Sequence, residues 1–155
     1  MGQEKVKHGT DSVLYAMEQT VVYFRLKGAQ VFNELDLGIT CDQFFTLETL
    51  SYNEGICQRD LSKLILKDRS NTGRILNILE EKELIRRNVE MKGKRIVKMI
   101  YITDAGKKIV SDCFPKLKEA FQTVTEGISE DDLKHLRQTL SKLRDGLSKI
   151  TSIQI

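Results

Sequence analysis

The spacing of apolar residues changes abruptly in the middle of this chain, and the change restricts the folds that it can adopt. Over residues 58–82 the apolar positions recur every three or four residues, which is typical of helices, with a tight polar turn at Lys67–Ser70. After Leu84 the period changes, and two segments rich in Ile, Val and Met flank Gly93. The sequence therefore predicts two short helices followed by an antiparallel hairpin.

Longer helical patterns lie on both sides of this segment. An apolar face with helical spacing runs from about residue 11 to residue 35, and Thr40 with Gln43 matches a capping box that opens the next helix. After the hairpin, Thr103 and Ser129 are each predicted to cap a further helix. The fold class that follows is mostly α with a small β-hairpin wing (α+β), arranged as a winged helix–turn–helix with helices before and after it.

The two short helices are predicted to bury one face each. The inward positions are Leu61, Leu64 and Ile65 in the first, and Ile75, Leu76, Ile78 and Leu79 in the second. The second helix is predicted to begin at Asp68 or Ser70 and to end near Lys82.

The excess of positive over negative charge in the chain is confined to this central segment. Residues 57–98 hold 12 Lys and Arg against 6 Asp and Glu, a net charge of +6, whereas the whole chain has a net charge of +3. The remaining residues are therefore acidic overall. Because Lys and Arg release counterions when they neutralise phosphates, a concentrated basic segment favours double-stranded DNA as the partner.

Composition excludes several other classes of protein. No run of 18 apolar residues is present, so no membrane span is expected, and the polar N-terminus predicts no signal peptide. The three cysteines are widely spaced, which fits a reducing cytoplasm. His8 and His135 are far apart and have no nearby Cys, and no nucleophile is grouped with a base, so neither a metal site, a cofactor nor a catalytic site is predicted. The one proline, Pro115, is predicted to kink or split a helix.

The last helix carries a narrow seam of leucines in steps of three and four residues. Its members are Leu133, Leu136, Leu140, Leu143 and Leu147, followed by Ile150. Such a seam requires a partner helix, either the first helix of the same chain or a second copy. The sequence favours a homodimer, because two long terminal helices flank a module that is too small to cover both.

An ordered series of short motifs from Gly38 to about Val110 resembles the MarR family of bacterial winged-helix transcription regulators. Thr40 with Gln43-Phe44 corresponds to the family's L-T-x-x-Q-F, and Ile102–Gly106 corresponds to its L-T-x-x-G. Between them the matching segments are Gly55-Ile56, Gln58–Ser62, Asp68–Leu76, Leu79–Lys82 and Leu84–Arg87.

The resemblance implies a homodimer in which each protomer carries one winged module. The chain would be a single domain over residues 1–155, with a DNA-binding region at 38–103 and dimerisation regions at 11–36 and 104–155. A recognition helix beginning near Asp68 would enter the major groove, and two of them would read a pseudo-palindrome with half-sites about one turn apart. Family members respond to small aromatic compounds or oxidants, usually by losing DNA, so a repressor is the expectation.

Three features depart from the family pattern. The wing has Gly93-Lys94-Arg95 where the family often has an Asp that orients the Arg. Glu83 replaces a Gly that usually supplies a left-handed helix cap, so this helix end is expected to be less tightly capped. Gly73 lies inside the recognition helix, where it either permits close approach to DNA or is simply tolerated.

DNA contacts are predicted at the starts of the two short helices and at the wing. Short polar side chains and arginines at a helix N-terminus bind base edges and phosphates, although Ser70 is also a candidate helix cap, and Arg69 is also a candidate ion-pair partner of Asp68 or Asp60. The predicted contacts are Gln58, Arg59, Arg69, Ser70, Asn71, Thr72, Arg74, Lys92, Lys94 and Arg95.

Two further hypotheses concern regulation. A small-molecule effector pocket between the dimer helices and the winged module is a hypothesis for Tyr15, Tyr23, Phe24 and Phe44, for which core packing is the commoner use. Redox sensing is a hypothesis for Cys41 and Cys57, which lie near predicted helix starts, although inert burial is the usual role of Cys.

Two other functions remain open at the level of the sequence. One is a winged-helix module that binds a protein partner and has lost DNA binding, and the other is a redox or small-molecule sensor that acts without DNA. The confined basic segment favours DNA binding over both, because a protein-binding module has no need of it.

Overall fold

The computed structural model describes residues 12–150, with the side chains of residues 12–149, and within them six α-helices and one small sheet are present. The predicted helix start at Asp11 lies outside the described residues. The helices are α1 (Val13–Glu34), α2 (Cys41–Tyr52), α3 (Gln58–Leu64), α4 (Arg69–Glu81), α5 (Asp104–Gln122) and α6 (Glu130–Ile150). The strands are β1 (Ile56–Cys57), β2 (Ile85–Lys92) and β3 (Arg95–Ile102). The chain divides between Cys41 and Asp42 into two compact units, and each is described by itself.

The first unit is dominated by α1, which the periodicity predicted. Ser12 caps this helix, its side chain accepting a hydrogen bond from the Tyr15 amide. The helix buries Gly28, Val31 and Phe32 near its C-terminal end. Towards its N-terminal end the same apolar face is exposed in this single chain, as Val13, Leu14, Val21 and Phe24 show.

The second unit is organised around the two short helices α3 and α4. The α4 helix begins at Arg69 because the Asp68 carboxylate caps it and accepts a hydrogen bond from the Asn71 amide at 2.8 Å. The predicted inward residues Leu61, Ile75, Leu76 and Leu79 are buried, and Ile65 and Ile78 are half-buried. The expectation for Leu64 is wrong: α3 ends there, and the side chain is exposed at the surface.

The sheet confirms the predicted hairpin and adds a strand that the sequence did not reveal. β2 and β3 pair antiparallel from Ile85 opposite Ile102 to Lys92 opposite Arg95, which leaves a two-residue loop. Gly93 is the first loop residue and has φ +63°, a conformation that glycine adopts without strain. On the other edge of β3, the two-residue strand β1 completes the order β1-β3-β2.

The end of α4 and the start of α5 are joined through a few backbone groups. Glu83 has φ +57°, and the amides of Glu83 and Leu84 bond the carbonyls of Glu80 and Leu79, the two hydrogen bonds that define a Schellman motif. The expectation of a looser helix end at Glu83 is therefore wrong, because the complete motif forms with Glu in the position that favours Gly.

Thr103 connects this helix end to α5. Its backbone amide donates to the Leu84 carbonyl, and its hydroxyl donates to the Glu83 carbonyl at 2.8 Å. The same hydroxyl oxygen accepts a hydrogen bond from the Gly106 amide, which confirms Thr103 as the cap of α5. A Cβ atom on Gly106 would lie 2.3 Å from the Leu84 carbonyl oxygen, so only glycine fits there.

The C-terminal helices follow their sequence signals. Pro115 lies inside α5, and the helix is not split there. Gly127, with φ +82°, lies in the connection between α5 and α6. Ser129 caps α6, its hydroxyl oxygen accepting a hydrogen bond from the Asp132 amide. Among the seam residues, Leu136, Leu140 and Leu147 are exposed and Leu133 and Leu143 are half-buried, so a single chain leaves the seam largely uncovered.

Across the part of the chain that the structure describes, no helix combines the length and apolar character needed to span a membrane.

Candidate DNA interface

The N-terminal turns of α4 present a polar, cationic surface to solvent. Arg69, Ser70 and Arg74 are exposed, and Asn71 is half-buried. Because Asp68 is the cap, Ser70 lies inside the helix, and the alternative that it serves as the cap is wrong. The Arg74 guanidinium donates to the Asn71 side-chain oxygen at 3.0 Å, which holds the two polar groups together on this surface.

Thr72 does not belong to this surface. Its side chain has no exposed area, and its hydroxyl donates to the Asp68 carbonyl at 2.8 Å. The prediction that Thr72 contacts DNA is therefore wrong, because its side chain faces the core and its hydroxyl already donates a hydrogen bond to the Asp68 carbonyl.

Gln58 and Gly73 are in contact where α3 meets α4. The Gln58 side-chain amide donates to the Arg69 carbonyl at 2.9 Å, and its nitrogen would lie 3.2 Å from a Cβ atom on Gly73. Gly73 thus leaves room for Gln58 to hold the first turn of α4. Gln58 remains half-buried, so a phosphate contact by this residue stays a prediction.

A cleft of about 490 Å³ separates the starts of α3 and α4 from the outer part of β3. Five cationic side chains and one carboxylate line it: Arg59, Arg69, Lys92, Arg95, Lys98 and Asp60. Gln58 lines the cleft as well, so the structure brings three predicted contacts from the helices together with two from the wing. Lys98 was not singled out in the sequence, because its position on the cleft depends on the register of the hairpin.

The carboxylate in the cleft is already engaged by neighbouring groups. The Cys57 thiol lies 3.1 Å from one Asp60 oxygen, and the Arg59 Nε atom lies 3.4 Å from the other. The hydrogen bond from Cys57, with a smaller effect of Arg59, lowers the pKa of Asp60 below its ordinary value. Arg69, by contrast, has no ion pair with any described residue, so neither Asp68 nor Asp60 neutralises it.

The wing tip is strongly basic, and its cations are not paired with carboxylates of the described residues. Lys92, Lys94 and Arg95 are exposed, and none of them forms an ion pair within residues 12–149. No carboxylate of the described residues therefore pairs with Arg95 in the way that the Asp of the family pattern pairs with its Arg. Contact of these three exposed cations with phosphates or with the minor groove stays a prediction.

Arg87 ties the wing to the recognition helix, and sequence reasoning did not identify this role. Its guanidinium forms an ion pair with Glu80, with the Nε atom 2.9 Å from the carboxylate, and donates to the Asn77 side-chain oxygen at 2.9 Å. The Arg87 hydrogen bond lowers the pKa of Glu80, and the same contact raises the pKa of Arg87. Asn77 and Glu80 lie on α4 and Arg87 lies on β2, so only the packing of α4 against β2 reveals the contact.

The residues of the effector hypothesis differ in exposure. Phe44 is buried, Tyr15 is half-buried, and Tyr23 and Phe24 are exposed in the single chain. Within the second unit, a separate cavity of about 290 Å³ lies between α2 and α5. Its lining is Glu48, Ser51, Tyr52, Lys107, Val110, Ser111, Phe114 and Pro115.

The cysteines of the redox hypothesis are both partly buried. Cys41 begins α2, and its Sγ atom would lie 3.4 Å from a Cβ atom on Gly28. Cys57 donates its thiol hydrogen to Asp60. Cys113, which was predicted to lie on an apolar face, is buried, and burial raises the pKa of its thiol.

Known proteins share this fold and part of this sequence. The model of the MarR family matches residues 39–97. An uncharacterized HTH-type transcriptional regulator, YwaE from Bacillus subtilis (strain 168), is 25% identical over 89 residues, which are 57% of this chain and 52% of that relative. The alignment therefore spans about half the length of YwaE.

Two solved structures extend the similarity to nearly the whole chain. The S. aureus MepR–DNA complex has a TM-score of 0.75 and 26% identity, covering 90% of this chain and 99% of that one. The transcriptional regulator SlyA has a TM-score of 0.75 and 28% identity, covering 89% of this chain and 95% of that one. These similarities show that the winged helix–turn–helix contains a MarR-family domain at residues 39–97, and that nearly the whole chain shares its fold with MepR and SlyA.

Proposed function

We propose that this protein is a sequence-specific DNA-binding regulator of transcription that acts as a homodimer, most simply as a repressor, in the cytoplasm. The observation that carries the proposal is the cleft between the helix starts and the wing, where five cations face one carboxylate that is already hydrogen-bonded. MepR, to which this chain is similar, was solved in complex with DNA. No catalytic step is part of the proposal.

The recognition helix is proposed to enter the major groove with Ser70, Asn71 and Arg74 towards the bases. Arginine and asparagine can each make two hydrogen bonds to one base edge, which distinguishes base pairs. Arg59, Arg69 and the wing cations are proposed to bind the phosphates on either side, which sets the register of the helix without reading sequence.

The dimer is proposed to form through the terminal helices. Leucines of α6 and apolar residues along α1 are exposed in the single chain, and large exposed apolar surfaces commonly mark protein interfaces. Two protomers related by a two-fold axis would place two α4 helices on successive turns of one duplex, so the operator is expected to be a pseudo-palindrome.

Binding to DNA across a salt series tests the central proposal. Affinity for a duplex selected from a random-sequence pool should fall by roughly 10³-fold or more between about 50 and 200 mM salt, because several phosphate contacts release counterions. A nearly flat salt response would contradict DNA binding through this basic cleft and favour a protein-binding module instead.

Arg74→Ala tests the placement of the recognition helix. We expect affinity to fall by roughly tenfold to a hundredfold with the dimer intact, because a base contact by arginine contributes about 1–3 kcal/mol. Arg137→Ala, an exposed arginine of α6, is the matched control and should bind DNA like the unaltered protein. Loss of folding in Arg74→Ala would instead assign this residue a structural role.

A small-molecule effector is part of the proposal only as a regulator of DNA affinity. The hypothesis for Tyr15, Tyr23, Phe24 and Phe44 requires that a bound aromatic compound change the salt-dependent affinity for DNA. Release of DNA on oxidation, and its loss in Cys41→Ser or Cys57→Ser, would separate the redox hypothesis from the effector hypothesis.

A further inference from the structure

The wing carries an exposed apolar strip just behind its basic tip. Val89, Met91 and Ile96 expose 64%, 72% and 73% of their surface. Met91 and Ile96 are directly opposite each other in the hairpin, one pair before the loop. Alternation along β3 puts Ile96 on the same face of the sheet as Ile100, which is buried. Lys98 lies between them on this face, so Met91 and Ile96 form an apolar pair that is separate from the core and exposed to solvent.

Packing within the protomer does not account for this strip. A side chain that is nearly three-quarters exposed gains little from burial, and β-branched polar residues would form an equally good strand on a solvated surface. Charged or polar residues would also protect a hairpin from aggregation better than an apolar pair does. The pair is thus better explained by a surface that covers it on binding.

The surroundings of Ile96 identify the chemistry of that surface. Ile96 lines the cleft together with Arg59, Arg69, Lys92 and Arg95, so whatever covers it passes between these cations. Phosphate groups alone would not remove apolar carbon from water. The edge of a duplex offers both kinds of group side by side, because the deoxyribose carbons that line the minor groove lie next to the phosphates.

We propose, resting on the DNA-binding function above, that Met91 and Ile96 form an apolar contact with deoxyriboses at the minor-groove edge. Apolar side chains are used in this groove by proteins that read its width and deformability. The wing would then contribute in two ways: its cations bind phosphates in a salt-dependent manner, and the pair adds affinity that salt does not weaken.

Two matched double variants separate these contributions. Met91→Thr with Ile96→Thr removes apolar surface but keeps residues suited to a strand, and Lys92→Gln with Arg95→Gln removes charge from the adjacent pair. The probe is a duplex that the unaltered protein selects from random-sequence DNA. We expect the Thr variant to bind roughly tenfold more weakly, about 1.4 kcal/mol, at every salt concentration, with an unchanged salt slope. The Gln variant should bind with a shallower slope.

Hydroxyl-radical footprinting gives an independent measurement, because it reports deoxyribose exposure directly. Protection of the sugars contacted by the wing should be lost in the Thr variant, while other protections persist. Equal affinity of the Thr variant, or a reduced salt slope like that of the Gln variant, would overturn the inference. If no duplex is selected at all, the DNA-binding function itself fails, which distinguishes the two outcomes.

Discussion

At the scale of single residues, Glu83 shows how the fold imposes a conformation that its sequence does not favour. The residue takes a left-handed conformation, φ +57°, to close the C-terminal cap of α4. Non-glycine residues pay for this conformation in free energy, and glycine does not. We therefore expect Glu83→Gly to raise the free energy of unfolding by about 1 kcal/mol, measured by urea denaturation.

Glu81 supplies the matched control for this prediction. It is a nearby exposed glutamate, and it is the last residue of α4 rather than the left-handed residue of the cap. Glu81→Gly should lower stability by up to about 1 kcal/mol, because glycine is unfavourable within a helix. If both substitutions destabilise, the left-handed conformation of Glu83 carries no cost in the folded protein.

Gly106 is constrained in the opposite sense, by close approach of backbone rather than by its own dihedral angles. A Cβ atom there would lie 2.3 Å from the Leu84 carbonyl oxygen and 2.8 Å from a side-chain carbon of Ile102. Gly106→Ala should lower the free energy of unfolding by about 2–3 kcal/mol, measured by thermal or urea denaturation.

Gly146→Ala is the comparison for Gly106, because a Cβ atom built on Gly146 in α6 has no described atom within 4 Å apart from its chain neighbours and the nearby backbone of its own helix. This substitution should be neutral or stabilising by up to about 1 kcal/mol. Similar effects of the two substitutions would mean that α5 shifts freely to accommodate the methyl group.

Sequence reasoning at the residue scale worked where the signal was local. Thr103 and Ser129 were identified as caps from their types and positions alone, and Asp68 was one of two candidates for the cap of α4. The burial of Thr72 could not be predicted in this way. A threonine early in a recognition helix has the same local signature whether it faces DNA or the core, and only the packing of α4 decides.

At the scale of elements, the contact of β2 with α4 depends on the pair Arg87 and Glu80. Because Arg87 lowers the pKa of Glu80 below its ordinary value of 4.5, the pair stabilises the folded state above that pH. The contribution is lost as pH falls through the lowered pKa. After solvent screening we expect up to about 1 kcal/mol, since the Glu80 side chain is 39% exposed.

Glu80→Gln tests this dependence through urea midpoints at neutral pH and near pH 3. The variant should be less stable at neutral pH and should lose less stability on acidification than the unaltered protein. Glu81→Gln, an adjacent exposed change outside any described ion pair, should leave the pH dependence unaltered. An unchanged pH profile for Glu80→Gln would show that the pair contributes nothing to stability.

The elements themselves were largely readable from the sequence. The helices and the hairpin follow from periodicity, and Gly93 marks the loop. The strand β1 could not be predicted, because two residues are too few to show an alternation of apolar and polar positions. It forms only because β3 lies beside it, where the Gly55 amide donates to the Ile100 carbonyl. The basic cleft was foreseen as a charged segment, but its inclusion of Lys98 and Ile96 required the register of the hairpin.

At the scale of the whole molecule, the proposed dimer makes a prediction about mass. Leu140→Asp with Leu143→Asp places two carboxylates in the α6 seam, so the protein should become monomeric in light-scattering measurements. Gln138→Asp, an exposed change outside the seam, should leave the mass unchanged. A dimeric mass for the Leu variant would show that the α6 seam does not hold the dimer.

The junction at Gly106 has a mechanical consequence for a protein of this kind. The carbonyls of Glu83 and Leu84, where α4 gives way to β2, are bonded to Thr103, where β3 gives way to α5. Since there is no space for a methyl group between Gly106 and the Leu84 carbonyl, we expect a rotation at the start of α5 to be transmitted to the end of α4 and the start of β2. In the proposed dimer, a movement of the C-terminal helices would thus change the distance between the two α4 helices.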